Sequence, residues 1–308
     1  MVDPLEIRSN RVGVELSSTA FRAVQIGESG TLERTVSVPV DRSQPLAPQL
    51  VSVVKGLKEE FGEFSKIGLA LPGLVDRTAQ RVAFSANIPE HSNGDLVQEV
   101  QSATGIEIAI ENDANAAAFG EFHLGAGRKS RNMFYVTLGE GVGGAFIFGG
   151  EIWRGAAGFA GEFGYVPINS EGVRLEQVAS TANIIRRTRS RFHQDNTSSL
   201  DKLAEEAITL EDIIAAARSE DDFAQMMLKR TGAYVGSAVA TVINLLNVEK
   251  IVIGGEIMSA DDLVLDAIIE RAGELSFEPS FASTTIVGGS LGANAAAAGA
   301  ALLASQQA

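Results

Sequence analysis

The chain has 308 residues, 45% of them apolar, with a formal net charge of −14 and no cysteine. That length and apolar content allow one large or two ordinary domains with a substantial core. The acidic balance argues against a nucleic-acid partner, which needs a basic surface to displace counterions, and the lack of thiols excludes disulfides and thiolate metal sites.

Residues 1–10 hold no signal-peptide core, and no window approaches a run of about 20 apolar residues, so a cytoplasmic protein without a membrane partner is expected. Residues 12–16 alternate as a strand, Ser17-Ser18-Thr19 turn, and 21–26 and 32–40 read as two further strands. Leu50, Val53, Val54, Leu57 and Phe61 recur at helical spacing, which predicts a helix over 48–61. Residues 66–71 are almost continuously apolar, as in a buried parallel strand, and stop at Pro72-Gly73. A short helix over 95–104 and a strand over 106–110 follow, and this alternation argues for an α/β layer.

Glu111-Asn112-Asp113-Ala114-Asn115 comes next, ahead of a helix over 116–124. Asp113 therefore falls at a strand-to-helix turn, the end of a sheet where ligands collect. A lone carboxylate there suits a general base. It equally suits a helix N-cap, since Asp accepts from the first free N–H groups.

Residues 134–148 repeat the pattern of 12–26: a strand, a turn of small residues from Gly139 to Gly144, and a returning strand. Two such hairpins fit two like-built halves facing one cleft. Residues 200–248 read as helical, with 222–247 one long buried helix. The basic stretch 185–191 reads as the solvated face of a helix. A strand over 250–253 ends at Gly254-Gly255, and helix 263–275, strand 284–287 and the Ala-rich helix 293–303 complete the chain. The domain boundary is expected at a hinge near 115–130.

Small-residue turns directly after strands let backbone N–H groups approach phosphate. Ser17–Thr19, Gly139–Gly144 and Gly254-Gly255 are three of them, although each alone is only a turn. No Walker A pattern occurs. A second group, Asn87, Asn112, Asp113, Glu162 and Glu176, lies at or just after apolar runs. Planar carboxylates and amides bind adjacent sugar hydroxyls in pairs; the competing reading is surface or capping residues. Glu162 sits in a Gly-rich loop with little apolar bulk, so its charge should face a cavity. The three histidines have no ligand-spaced partners.

Together, Ala70-Leu-Pro-Gly-Leu-Val-Asp76, Asn87-Ile-Pro89, Glu111-Asn-Asp-Ala-Asn-Ala-Ala-Ala118, Thr137-Leu-Gly-Glu-Gly-Val-Gly-Gly144, Gly158-Phe-Ala-Gly-Glu-Phe-Gly164 and Asn244-Leu-Leu-Asn-Val-Glu-Lys-Ile-Val-Ile-Gly-Gly255 resemble the ROK family of sugar kinases and sugar-responsive repressors, within the actin-like/hexokinase superfamily. The resemblance implies two actin-like (ribonuclease H-like) α/β domains flanking a central cleft. A smaller one would span 1–117, joined by the helix at about 293–308, and a larger one 118–292. It also implies ATP-dependent phosphorylation of a hexose or amino-sugar hydroxyl, with Asp113 as general base, and a homodimer. Asn87, Asn112, Glu162, Tyr165 and Glu176 would hold the sugar. Glu15, Ser17, Ser18, Thr19, Gly139, Glu140, Gly141, Gly143, Gly254 and Gly255 would line the nucleotide site, with Glu15 reaching Mg2+ through water.

The chain departs from the family pattern in three places. Asp-x-Gly-Gly-Thr is here Glu15-Leu-Ser-Ser-Thr19. Glu140 replaces a threonine, and a carboxylate at about 4 Å from a phosphate oxygen is repulsive by roughly 4 kcal/mol at a protein surface. Gly-His is Gly164-Tyr165, and residues 166–174 replace a cysteine-rich zinc cluster, so no zinc is expected; Glu176 is placed by the Leu-Glu that ends that motif. Two further readings follow. One is a sugar-binding protein with a decayed nucleotide site. The other, least favoured, is a repressor: family repressors carry a helix-turn-helix domain ahead of the core, and here the first strand begins at about residue 11.

Overall fold

The computed structural model describes residues 11–85, 95–192, 197–260 and 262–306; Asn87 lies outside them. The chain opens with β1 (Arg11–Leu16), β2 (Ala20–Ile26) and β3 (Leu32–Pro39). Helix α1 (Leu46–Phe61) buries Leu50, Val53, Val54, Leu57 and Phe61, the five residues its spacing marks out. Strand β4 (Lys66–Leu71) is buried after its first residue. A small hairpin of β5 (Leu74–Asp76) and β6 (Arg81–Phe84) follows, then α2 (Leu96–Thr104). Strand β7 (Glu107–Asn112) runs directly into α3 (Asp113–Leu124).

The second series is β8 (Met133–Leu138), β9 (Val142–Phe148) and β10 (Glu151–Trp153). Four helices come next: α4 (Glu176–Ala179), α5 (Thr181–Arg189), α6 (Leu210–Arg218) and the long α7 (Asp222–Leu246). Strand β11 (Lys250–Gly254), α8 (Asp262–Leu275), α9 (Glu278–Ala282), β12 (Thr285–Gly288) and α10 (Ala295–Gln306) complete the order.

One five-stranded sheet has the order β3-β2-β1-β4-β7 and the other β10-β9-β8-β11-β12. In the first, β1–β2–β3 are antiparallel while β1, β4 and β7 run parallel. In the second, β9–β10 are antiparallel while β8, β11 and β12 run parallel. Numbered within its own series, each sheet has the same strand order. The like-built halves read from the two hairpins are therefore present, and the fold is mixed α/β. Two compact units emerge. The first runs as far as Arg131 and takes in Ala145–Ala160 and the chain from Leu291; the second is Asn132–Gly144 with Gly161–Ser290.

The period of two along a strand sorts the first sheet into two different faces. Val12, Val14, Leu16, Ile67, Leu69, Leu71, Ile108 and Ile110 pack with α1 and α2 residues in one apolar core. The other face carries Gly13 and Gly68, and α10 lies against β1 and β4 there. A Cβ on Gly13 would fall 2.0 Å from the carbonyl oxygen of Ala297, and one on Gly68 1.9 Å from that of Ala300. The Ala-rich sequence of α10 is thus what lets backbone meet backbone. Among the described residues no helix is long and apolar enough to cross a membrane.

Candidate functional site

Register places Glu15, Ala70 and Glu111 side by side near the carboxyl ends of β1, β4 and β7. Strand β7 runs two residues further than its apolar pattern, and α3 starts three residues earlier than its own, so no turn separates them. Asn112 is the N-cap: its Oδ1 accepts from the Asn115 N–H at 3.0 Å. That corrects the capping reading of Asp113, which is the first residue of the helix. Asn112 Nδ2 donates to Gly73 O and to Asp113 Oδ1, each at 3.0 Å. Asp113 Oδ1 also accepts from the Ala114 N–H at 2.8 Å. The carboxylate is therefore held at a helix N-terminus, where negative charge is favoured.

Behind it lies Glu111, whose side chain is 4% exposed. Its Oε1 accepts from the Asn112 N–H and from Asn115 Nδ2, both at 3.1 Å. Its Oε2 accepts from Arg154 Nη2 at 2.6 Å and Nε at 3.2 Å. Arg77 Nε approaches the same oxygen at 3.5 Å. Burial, with Arg154 close by, lowers the Arg77 pKa despite Glu111. The sequence reading assigned none of these three residues a role, because the contacts join segments distant in the chain.

Glu15 is also close to Asp113. Burial pushes its carboxyl up to about 7; Arg22, with Nη1 at 3.6 Å, pulls it down, and Asp113 pushes it up again. The adjoining turn is closed by Ser17. Its hydroxyl accepts from the Ala20 N–H at 3.0 Å and the Thr19 N–H at 3.4 Å, and donates to Ala20 O at 3.0 Å. The Thr19 N–H of the expected phosphate turn, and the Ala20 N–H that follows it, are thus engaged by Ser17.

In the second unit, Glu162 precedes a single 3-10 turn, Phe163–Tyr165, and Glu176 opens α4. Glu176 Oε2 accepts from the Val142 N–H at 3.1 Å. Gly164 keeps this junction tight, since a Cβ there would lie 2.4 Å from Val142 O and 3.4 Å from Glu176 Oε2. Burial, and then Glu176, raise the Glu162 carboxyl above its ordinary range. Tyr165 is 55% exposed, and the Arg174 guanidinium stacks 4.3 Å from its ring centroid. The segment between is a small hairpin, in which Ile168 N–H donates to Val173 O at 2.8 Å and Leu175 N–H to Val166 O at 2.9 Å.

The glycine turn after β8 is closed by the Gly139 N–H donating to Gly141 O at 3.0 Å. Gly139 O accepts from the Thr181 N–H at 2.8 Å at the start of α5. Thr181 Oγ1 donates to Glu256 Oε1 at 2.5 Å. Glu140 is exposed beside this turn, and Gly141 and Gly143 are partly exposed along it. Gly254 and Gly255 have packing reasons to be glycine. A Cβ on Gly254 would meet Tyr135 Oη at 2.3 Å; Gly255 has φ +94° and would meet Leu138 O at 2.3 Å. Glu256 was missed by sequence reading, although its signal was plain: it is the carboxylate that directly follows Gly254-Gly255.

The family model described as "ROK family" matches residues 11–307. A glucokinase of Halalkalibacterium halodurans is 30% identical over 275 residues, which is 83% of this chain and 83% of that protein. The xylose repressor of Bacillus subtilis is 26% identical over 280 residues, 88% of this chain and 67% of the repressor. Among solved structures, a ROK family glucokinase from Streptomyces griseus in complex with glucose and AMPPNP superposes with a TM-score of 0.85 at 27% identity, covering 97% of this chain and 100% of that one.

Proposed function

The chain belongs to the ROK family, and on that premise we propose that it transfers the terminal phosphoryl group of ATP to a hydroxyl of a hexose or amino sugar. The observation that carries this reading is Asp113, a carboxylate fixed by Ala114 N–H and Asn112 Nδ2 at the end of a parallel strand. The acceptor oxygen forms a bond to the terminal phosphorus, the bond from that phosphorus to the bridging oxygen breaks, and ADP leaves. The hydroxyl proton goes to Asp113. Glu162, Glu176 and Tyr165 hold the sugar, joined by Asn112 through its remaining lone pair and by Asn87. Glu162 and Glu176 repel one another, so a hydroxyl that donates to one of them relieves that repulsion.

Glu15 and Asp113 fit Mg2+. Both are hard oxygen donors, and the Asp113 charge acts on Glu15; Mg2+ is commonly bound by one or two carboxylates together with substrate phosphates, and Glu15 would reach it through water. When bound, the ion would neutralise charge on those phosphates. A coupled ATPase screen over glucose, mannose, fructose, allose and the N-acetylated amino sugars tests the proposal. Sugar-dependent ADP release supports it; no turnover with any of them removes it.

A second reading rests on the donor side. Ser17 engages the turn N–H groups, and Glu140 and Glu256 put two carboxylates at the other glycine turn. A sugar-binding ROK protein with a decayed ATP site would look like this. Calorimetry with MgATP, with and without sugar, separates the two: tight nucleotide binding excludes decay.

A further inference from the structure

The charges around Glu111 do not balance. One buried carboxylate faces two guanidiniums, and Arg154 alone occupies Oε2 with both Nε and Nη2. Arg77 stands 3.5 Å off, its Nε buried without a hydrogen bond, and its Nη1 and Nη2 donate to no atom among the described residues. Its position is nonetheless well fixed. Asp76 Oδ1 accepts from the Thr78 and Ala79 N–H groups at 3.0 and 2.9 Å, which sets the turn that carries Arg77. Asn112 Nδ2 ties Gly73, at the start of the same hairpin, to the cap that precedes Asp113.

A half-buried cation without a full partner is costly, and its place is the hairpin after β4, against Glu111 near the end of β7, two residues before the proposed base. A planar fork of donors suits phosphate oxygens, which a guanidinium binds in pairs. We propose that Arg77 is a phosphate contact of this site, with Glu111 holding its guanidinium, and Arg154 filling Glu111 so that the guanidinium stays available, in reach of a phosphate or phosphate monoester. The proposal rests on the kinase reading for its ligand, which is either the donor's terminal phosphate or the phosphate of the product sugar.

The test is isothermal titration of the full chain with three probes at constant ionic strength: inorganic phosphate, a hexose 6-phosphate and a non-hydrolysable ATP analogue with Mg2+. Arg77→Gln should weaken at least one probe about tenfold, and Arg77→Lys, which keeps the charge but not the fork, about threefold. Loss confined to the hexose phosphate identifies the product, and loss confined to the analogue the donor. The proposal is overturned if the parent chain binds none of the probes, or if both variants fold and bind all three within twofold of the parent. A Tm change without an affinity change also overturns it, because Arg77 is then only a tether. No probe is turned over, so the kinase reading can fail in the sugar screen while this result stands, and the reverse.

Discussion

Arg154 closes on Glu111 at 2.6 Å across 43 residues of chain, and the carboxylate it holds lies two positions before Asp113. Glu111 is almost wholly buried while Arg154 is 26% exposed. Removing Glu111 leaves two guanidiniums crowded together; removing Arg154 leaves a buried anion with Arg77 in reach. Glu111→Ala should therefore cost about 3–5 kcal/mol. Arg154→Ala should cost less, about 1–3 kcal/mol. Urea unfolding midpoints of the two variants check this, and equal losses would mean that Arg77 does not step in.

Asn112, not Asp113, caps α3, so Asp113 can be changed without removing the cap. Asn112→Ala should lower stability by about 1 kcal/mol. Asp113→Asn leaves the cap intact and should lower kcat by about 10²–10⁴-fold. Turnover at the parent rate in Asp113→Asn would show that another group takes the proton.

Glu15 carries a pH signature. Its folded carboxyl sits at about 7 against an ordinary 4.5, so the folded chain binds more protons than the unfolded one between those values. Stability from this group is complete below the lower value and falls as pH rises to the upper one, by about 3 kcal/mol in all. Glu15→Gln has no such slope. The Tm of the variant minus that of the parent should grow by several degrees from pH 5 to pH 8; a constant difference would place the Glu15 carboxyl in the ordinary range.

Two glycines in helices should respond in opposite directions. A Cβ on Gly299 would fall 1.6 Å from the carbonyl oxygen of Ala116, between α10 and α3. Gly299→Ala should cost about 3 kcal/mol or more, or prevent folding. Gly56 in α1 is exposed with nothing within 4 Å of a Cβ. Gly56→Ala should stabilise by about 0.5–1 kcal/mol. Thermal unfolding of both distinguishes packing from propensity.

Glu140→Thr should tighten MgATP binding by about tenfold, as one carboxylate leaves the glycine turn proposed to face the nucleotide. Calorimetry on the parent and the variant reads this directly. Unchanged affinity would point to Ser17 or Glu256 as the obstacle.

The strands and long helices were legible because burial imposes a period: α1, β4 and α7 stand where their apolar residues put them. The start of α3 was not legible. Ala114, Asn115 and Ala116 are all buried, so no amphipathic stripe marks its first turn. The β5–β6 hairpin is too short to show a period. Of the candidate residues, Asp113, Glu162 and Glu176 could be singled out from local motifs. Arg77 and Arg154 could not, since each acquires its meaning only from Glu111, which folding brings to it. The ROK resemblance supplied the family and the fold: the match over residues 11–307 bears out the first, and the two like-ordered sheets with the superposition on a ROK glucokinase bear out the second.

Helix α10 has a bearing on how the protein is made. The first unit is synthesised as far as Arg131, yet its last segment begins at Leu291. At a ribosomal rate of about 5–20 residues per second, the interval is roughly 10–30 s. Throughout that time the nascent sheet exposes the bare backbone at Gly13 and Gly68, with no helix to cover it. The early part of the chain must wait for the later part before it can close.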